Sequence, residues 1–277
     1  MSTALTLLVL AVGLLLTPLF CRWWGRNAGW PLAAVYVAAA VAYLPALTHG
    51  AAASADGARA GPDSPAVWSV PWVSVPGVPG AEGGLSVNLA FAADSLSSVF
   101  TLIALLIGAV VLIYSTRYLD PGPNLSFYLG MALFTVSMVG LVTADDLIVL
   151  FLCWELTSLA SFLLIARSGQ GAFAPSMRTL LVTFLGGLAL LVAVVLTAVR
   201  TGTTSLREVL ASDQWAQDPA FTATVGLLIA VAAMTKSAQF PFHSWLPDAM
   251  AAATPVSAYL HAAAVVKAGI FLLLRFS

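Results

Sequence analysis

Charge is what this sequence has least of. Only 8% of its 277 residues are Asp, Glu, Lys or Arg, while 60% are hydrophobic and the mean hydropathy is +0.97. Soluble domains carry roughly 25% charged residues, and no soluble core hides this much apolar surface behind so few charges. A soluble globular protein is excluded. Basic runs are missing and the net charge is −1, which excludes a nucleic-acid partner held by electrostatics. Cysteine is scarce too. Cys21 and Cys153 lie at or inside apolar segments without metal-ligand spacing, and read as packing thiols. There is no cofactor motif and no nucleophile paired with a base, so no enzyme site, cofactor or metal is assigned. The opening MSTALTLLVL lacks a basic region and a small-residue cleavage signature, and reads as a retained first span.

What is present is an all-α polytopic membrane protein. A helix crosses a bilayer with about 20 apolar residues, and eight windows meet that length. They are 2–20, 30–48, 95–116, 122–143, 147–166, 179–199, 221–243 and 255–275. The chain divides into the first two spans (1–48), a mixed loop rich in Gly, Pro, Ala and Ser (49–93), and a helical domain (94–277). Within the loop, Leu85, Val87, Leu89 and Phe91 alternate, which suits a short strand or hairpin at the membrane surface. Disorder over 50–82 is the competing reading. Residues 204–213 predict a short surface helix capped by Thr204 or Ser205.

Basic residues in short loops set orientation. An outside N-terminus puts Arg22, Arg26, Arg117, Arg167 and Arg178 in the cytoplasm and Arg59, Arg200, Arg207 and Arg275 outside. The acidic loop (Asp56, Asp63, Glu82, Asp94 against one Arg) fits the outer side.

Four titratable groups fall inside apolar spans: Glu155 in the fifth, Lys236 in the seventh, His261 and Lys267 in the eighth. A charge at a helix centre costs about 2.5–3.5 kcal/mol on insertion scales. The chain has two lysines, both intramembrane, while all nine arginines sit at span ends or in loops. A buried lysine can lose its proton where an arginine cannot, so lysine suits a switchable cation. A series of such groups is the signature of a proton path. The plainer readings are a static Glu155–Lys236 ion pair, a core His261 bonded to a carbonyl, and a hydrated interfacial His243. His261 and Lys267 stand about 120° apart on an ideal helix and need a relay between them. Asp145 and Asp146 precede the fifth span, where capping accounts for at least one of them.

Pro241 predicts a break or kink of the seventh helix near 236–241, either an ordinary kink or a hydrated bend beside Lys236. A short helix follows, with Ser244 as cap and Asp248 in its first turns. Thr254 and Pro255 then open the eighth span as cap and first-turn proline.

KSAQFPFHSWLPDAMAAATPVSAYLHAAAVVKAG (236–269), with DDLIVLF and WELTSLASFLLI ahead of it, resembles the signature region of antiporter-like membrane subunits. These are shared by Mrp-type Na+/H+ antiporters and respiratory complex I. The likeness runs over about 85–277 and is closest to the N-terminal part of the A-type Mrp polypeptide. It implies the first half of an inverted-repeat fold, with one five-helix repeat over about 122–277 and a broken seventh helix. It implies proton translocation through Glu155, Lys236, His261 and Lys267, with His243 and Asp248 at a proton entry. It also implies other antiporter subunits as partners, H+ and Na+ as transported ions, and the bacterial plasma membrane as location. One alternative is a proton-pumping component of a complex I-like dehydrogenase or membrane-bound hydrogenase. The second alternative is a non-transporting assembly component. The family's Ala-Pro-Thr-Pro is Ala252-Ala253-Thr254-Pro255 here, which relaxes that turn. Ala263 and Ala264 replace larger side chains, removing a water-wire contact. Family members continue into a second, inverted set of helices, whereas this chain stops at LLLRFS; it is read as a fragment or as one part of a split polypeptide.

Overall fold

The computed structural model describes residues 2–55, 67–76, 84–122, 124–261 and 265–277. Twelve α-helices and one hairpin are found among them. Helices α1 (Ser2–Trp24) and α2 (Gly29–Ala55) flank a turn of 3-10 helix at Gly25–Ala28. Strands β1 (Val67–Val75) and β2 (Leu85–Ala92) follow, then α3 (Ser95–Tyr118), α4 (Leu125–Thr143), α5 (Leu147–Ala166) and α6 (Gln170–Thr201). Two short helices, α7 (Leu206–Leu210) and α8 (Gln214–Gln217), lead into α9 (Pro219–Lys236). The chain closes with α10 (Trp245–Ala249), α11 (Thr254–Tyr259) and α12 (Val265–Arg275).

Six stretches among the described residues are long and apolar enough to cross a membrane, which makes this a multi-pass membrane protein. The first of them, Ser2–Leu47, contains both α1 and α2. Of the predicted eighth span, α11, a π-type turn at 260–261 and α12 are described, and 262–264 lie outside the described residues. Ala263 and Ala264 lie outside the described residues, as do Asp56, Arg59, Asp63 and Glu82.

Successive long helices pack antiparallel, so their connections gather at two ends. At one end, β1 pairs antiparallel with β2, with a register shift between Pro71 and Val73 where proline offers no N–H. The α4–α5 turn then joins β2, Asp145 N donating to Ala90 O at 2.8 Å. Burial in β2 departs from the predicted alternation: Val87, Ala90 and Ala92 are buried, while Leu89 and Phe91 are half-buried. The connection 203–206 completes this layer through Leu206 N to Asp145 O at 2.9 Å and Leu147 N to Thr204 O at 2.8 Å. Asp146, buried, accepts from Ile148 N and Val149 N as the α5 cap, and from Thr204 Oγ1 at 2.5 Å and Asn88 N at 3.2 Å. Thr204 is therefore spent on Asp146 and does not cap α7, and Ser205 makes no side-chain cap bond there.

At the opposite end, Tyr128 donates to Arg26 O at 2.5 Å and Arg167 to Asn124 Oδ1 at 2.8 Å. Ala253 N donates to Ser168 Oγ at 3.0 Å. Ala253, not Thr254, is the N-cap of α11, and Ser244 precedes α10 without a side-chain cap bond. Residue type favours a cap at both positions, but the backbone starts one helix a residue earlier and leaves the other serine unused.

Helix α9 stops at Lys236, inside the 236–241 stretch where Pro241 predicts a break, although the apolar window runs on to 243. Ala238 N donates to Thr235 O and Gln239 N to Met234 O, the paired bonds of a Schellman motif. Ala238 takes the left-handed position (φ +52°) that glycine usually fills. Pro241 then denies the helix a restart until Trp245.

Candidate functional site

Lys236 is the last residue of α9 and has no exposed surface. Its ammonium donates to Trp154 O at 3.0 Å and to Ser158 Oγ at 2.6 Å, and lies 4.9 Å from the centre of the Trp154 ring. Trp154 and Ser158 are one turn apart on α5, so a single face of that helix supplies a carbonyl, a hydroxyl and an aromatic π-surface. The Trp245 indole of α10 donates to Thr235 O at 2.8 Å, a shorter bond to the carbonyl that Ala238 N also reaches.

Glu155 occupies the next position along α5, roughly 100° around the helix, and meets α6 instead. Its Oε1 is buried without a hydrogen-bond partner. The ion pairs among the described residues are Arg178–Asp248, Arg200–Asp218, Arg207–Asp145 and Arg275–Asp94. Of the Glu155–Lys236 couple expected from the sequence, the lysine rests on Trp154 and Ser158 of α5 and the acid on α6. The couple does not form a direct ion pair in this conformation, because Lys236 faces the neutral acceptors.

Sequence reasoning missed the element that makes this arrangement fit. A Cβ on Gly187 of α6 would fall on Glu155 Oε1, and one on Gly186 would fall on Thr235 Oγ1. The adjacent glycines let the α6 backbone touch the acid-bearing and lysine-bearing helices together. The available signal was the Gly-Gly pair inside the apolar run FLGGLAL, since small residues mark close helix contacts in membranes. Gly269 does the same for α12, whose Cβ would meet Ala233 O and, at 2.7 Å, Ser237 Oγ. This seats α12, two residues beyond Lys267, against the lysine end of α9.

The other predicted residues are spread along the molecule. His261 follows α11 at the π-type turn, and both its ring nitrogens are buried without partners. Lys267 is half-buried on α12 and belongs to none of the four ion pairs. His243 is exposed and stacked on Phe240, with ring centres 5.9 Å apart. Asp248 is paired with Arg178 at 3.1 Å. Asp145 and Asp94 lie at the hairpin end. Burial pushes the Asp145 carboxyl above the usual carboxylate range, against the pull of Arg207 at 3.1 Å. Burial works the same way on Asp94, but there Arg275 and the Ser97 N–H prevail and hold the carboxyl below that range.

A polytopic helical protein that buries a lysine at the end of one apolar helix and a carboxylate oxygen within another belongs with multi-pass membrane proteins that keep ionisable groups inside their spans. Two family profiles match. One described as "NADH:quinone oxidoreductase/Mrp antiporter, TM" covers residues 144–277. One described as "NADH-Ubiquinone oxidoreductase (complex I), chain 5 N-terminus" covers 81–129. The chain belongs to this antiporter-like family. It is 45% identical over 214 residues to the "Putative antiporter subunit mnhA2" of Staphylococcus aureus strain MRSA252, covering 76% of this chain and 26% of the relative. The counterpart from strain MSSA476 is 44% identical over 216 residues, with the same coverage. A chain in the structure of the Mrp complex from Dietzia sp. DQ12-45-1b superposes with a TM-score of 0.86 at 48% identity, over all of this chain and 28% of its own length. The chain thus spans about a quarter of the length of the curated relatives it matches.

Proposed function

We propose that this chain is the proton-translocating N-terminal part of an A-type component of a multisubunit cation/proton antiporter, exchanging Na+ for H+ in the bacterial plasma membrane. It is a transporter component rather than an enzyme. The observation that carries this reading is the Lys236 ammonium, fully buried and held by neutral groups, beside the unpartnered carboxyl of Glu155. A static ion pair would have closed that contact.

The lysine has two stations on α5. At Glu155 it is a paired, protonated ammonium. At Trp154 and Ser158 it rests on neutral acceptors without a countercharge, and from there it passes its proton on. The proton passes toward an imidazole nitrogen of His261 and on by way of Lys267, and His243 and Asp248 serve the entry end. Movement of a second cation elsewhere in the complex shifts the lysine between its stations. The N-terminus is outside, 49–93 is an outer loop, and about 122–277 forms one five-helix repeat within the domain that begins at 94.

Lys236→Ala should abolish Na+-linked proton transport in vesicles containing the whole complex. Undiminished transport would overturn the assignment. The family descriptions also name NADH:quinone oxidoreductase, which favours a second reading as a pumping component of a complex I-like assembly. Partners isolated with the chain decide between them, since redox-carrying subunits belong only to the second.

A further inference from the structure

We infer that Tyr259 is a positioning residue at the end of α11, acting through a buried node of three hydroxyls that fixes where His261 sits; this rests on His261 being part of the proton path. Tyr36 on α2 donates to Thr135 Oγ1 on α4 at 2.7 Å, and Thr135 Oγ1 lies 2.8 Å from Tyr259 OH. The carbonyls within reach are Met131 O, 3.1 Å from Tyr36 OH and 2.9 Å from Thr135 Oγ1, and Ala104 O of α3, 3.0 Å from Tyr259 OH, so three hydroxyl protons are shared among these acceptors and the hydroxyls themselves. Four helices therefore meet at one set of hydrogen bonds, and all three side chains are buried. Gly108 of α3 makes the space: a Cβ there would come within 2.8 Å of the Tyr36 ring and 3.1 Å of Tyr259 OH.

Packing alone does not require this chemistry. Phe, Val and Phe would fill the same volume without hydroxyls to satisfy, so the polar atoms specify geometry rather than add burial. What they specify is α11, which has six residues and is too short to hold itself. It is tied at its start by Thr254 to Tyr118 OH at 3.2 Å and at its end by Tyr259. His261 stands two residues further on, its ring nitrogens without partners of their own. Its backbone lies two residues from the Tyr259 anchor.

The test uses the assembled complex in vesicles, with assembly followed on native gels. Thr135→Val and Tyr259→Phe should lower proton transport by roughly ten- to a hundredfold at normal assembly, as small displacements of a reacting group do. Thr135→Ser, which restores the hydroxyl, should transport like the parent. Tyr259→Phe keeps its ring against Phe134 and decides the matter if Thr135→Val does not assemble. Unchanged transport in Tyr259→Phe, or its failure to assemble, overturns the inference. Lys236→Ala run alongside separates the two levels. If it abolishes transport while Tyr259→Phe is normal, the node inference alone fails; if it is harmless, the proton-path reading fails.

Discussion

Lys236 donates to Ser158 Oγ at 2.6 Å, and so a buried cation is held by a neutral hydroxyl although an acid lies three residues back on the same helix. The contact is made on the α5 face that also presents Trp154 O and its ring, whereas Glu155 is turned onto Gly187. Helical geometry thus turns the lysine's acceptors and the acid toward different neighbours.

Ser158→Ala removes one of two acceptors from the ammonium. A hydrogen bond to a charged group contributes about 1.5–3 kcal/mol, so the variant should lose roughly that much stability and Na+-linked transport should slow about tenfold. Ser158→Thr should recover both. Thermal unfolding in detergent and vesicle transport are the measurements.

Gly187→Ala should impair transport far more than its size suggests, because the new methyl lands on the Glu155 carboxylate. Gly226 on α9 has nothing within 4 Å of its Cβ position and supplies the control. Gly226→Ala should be stabilising by about 0.5–1 kcal/mol, with transport intact. Melting temperatures and transport rates of the pair check the contrast.

Acid titration should separate the two aspartates of the hairpin end. Asp145 is raised by burial, so the folded state keeps its proton longer than the unfolded chain; its contribution falls as pH rises from the ordinary 3.8 through the raised value. Asp94 is lowered, so its contribution is present above 3.8 and lost as pH falls. Asp94→Asn should therefore cost stability at neutral pH and little in acid. Asp145→Asn should remove the decline on raising pH. Unfolding curves across mildly acidic buffers test both signs.

Ala238→Gly should stabilise the chain by about 1 kcal/mol, since a left-handed alanine carries a steric penalty that glycine avoids. Transport should be unchanged. A rise in melting temperature without altered flux is the expected result.

Much of this is legible in the residues. Long apolar runs can only be spans, so the helical class and most boundaries follow directly from hydropathy. The second strand of the hairpin is signalled by the alternation around Leu85–Phe91, although its burial does not follow that alternation. Lys236 and Glu155 announce themselves as charges where charges are expensive. The break after α9 is legible from Pro241, but the residue at which the helix stops is not, because proline stands five residues beyond it. The stop is made by backbone bonds closed around an alanine, a choice that residue identity disfavours.

Composition and hydropathy by themselves determined that the chain lives in a membrane, crosses it repeatedly and carries scarce charges inside its spans. Those properties depend on each residue's own transfer energy and need no partner. Tertiary structure alone decided which side of α5 the lysine touches, why α6 carries two adjacent glycines, and that Tyr36, Thr135 and Tyr259 share one node. These depend on close approach between helices far apart in sequence, where a rotation of about 100° or one missing Cβ changes the contact, and no local pattern records that.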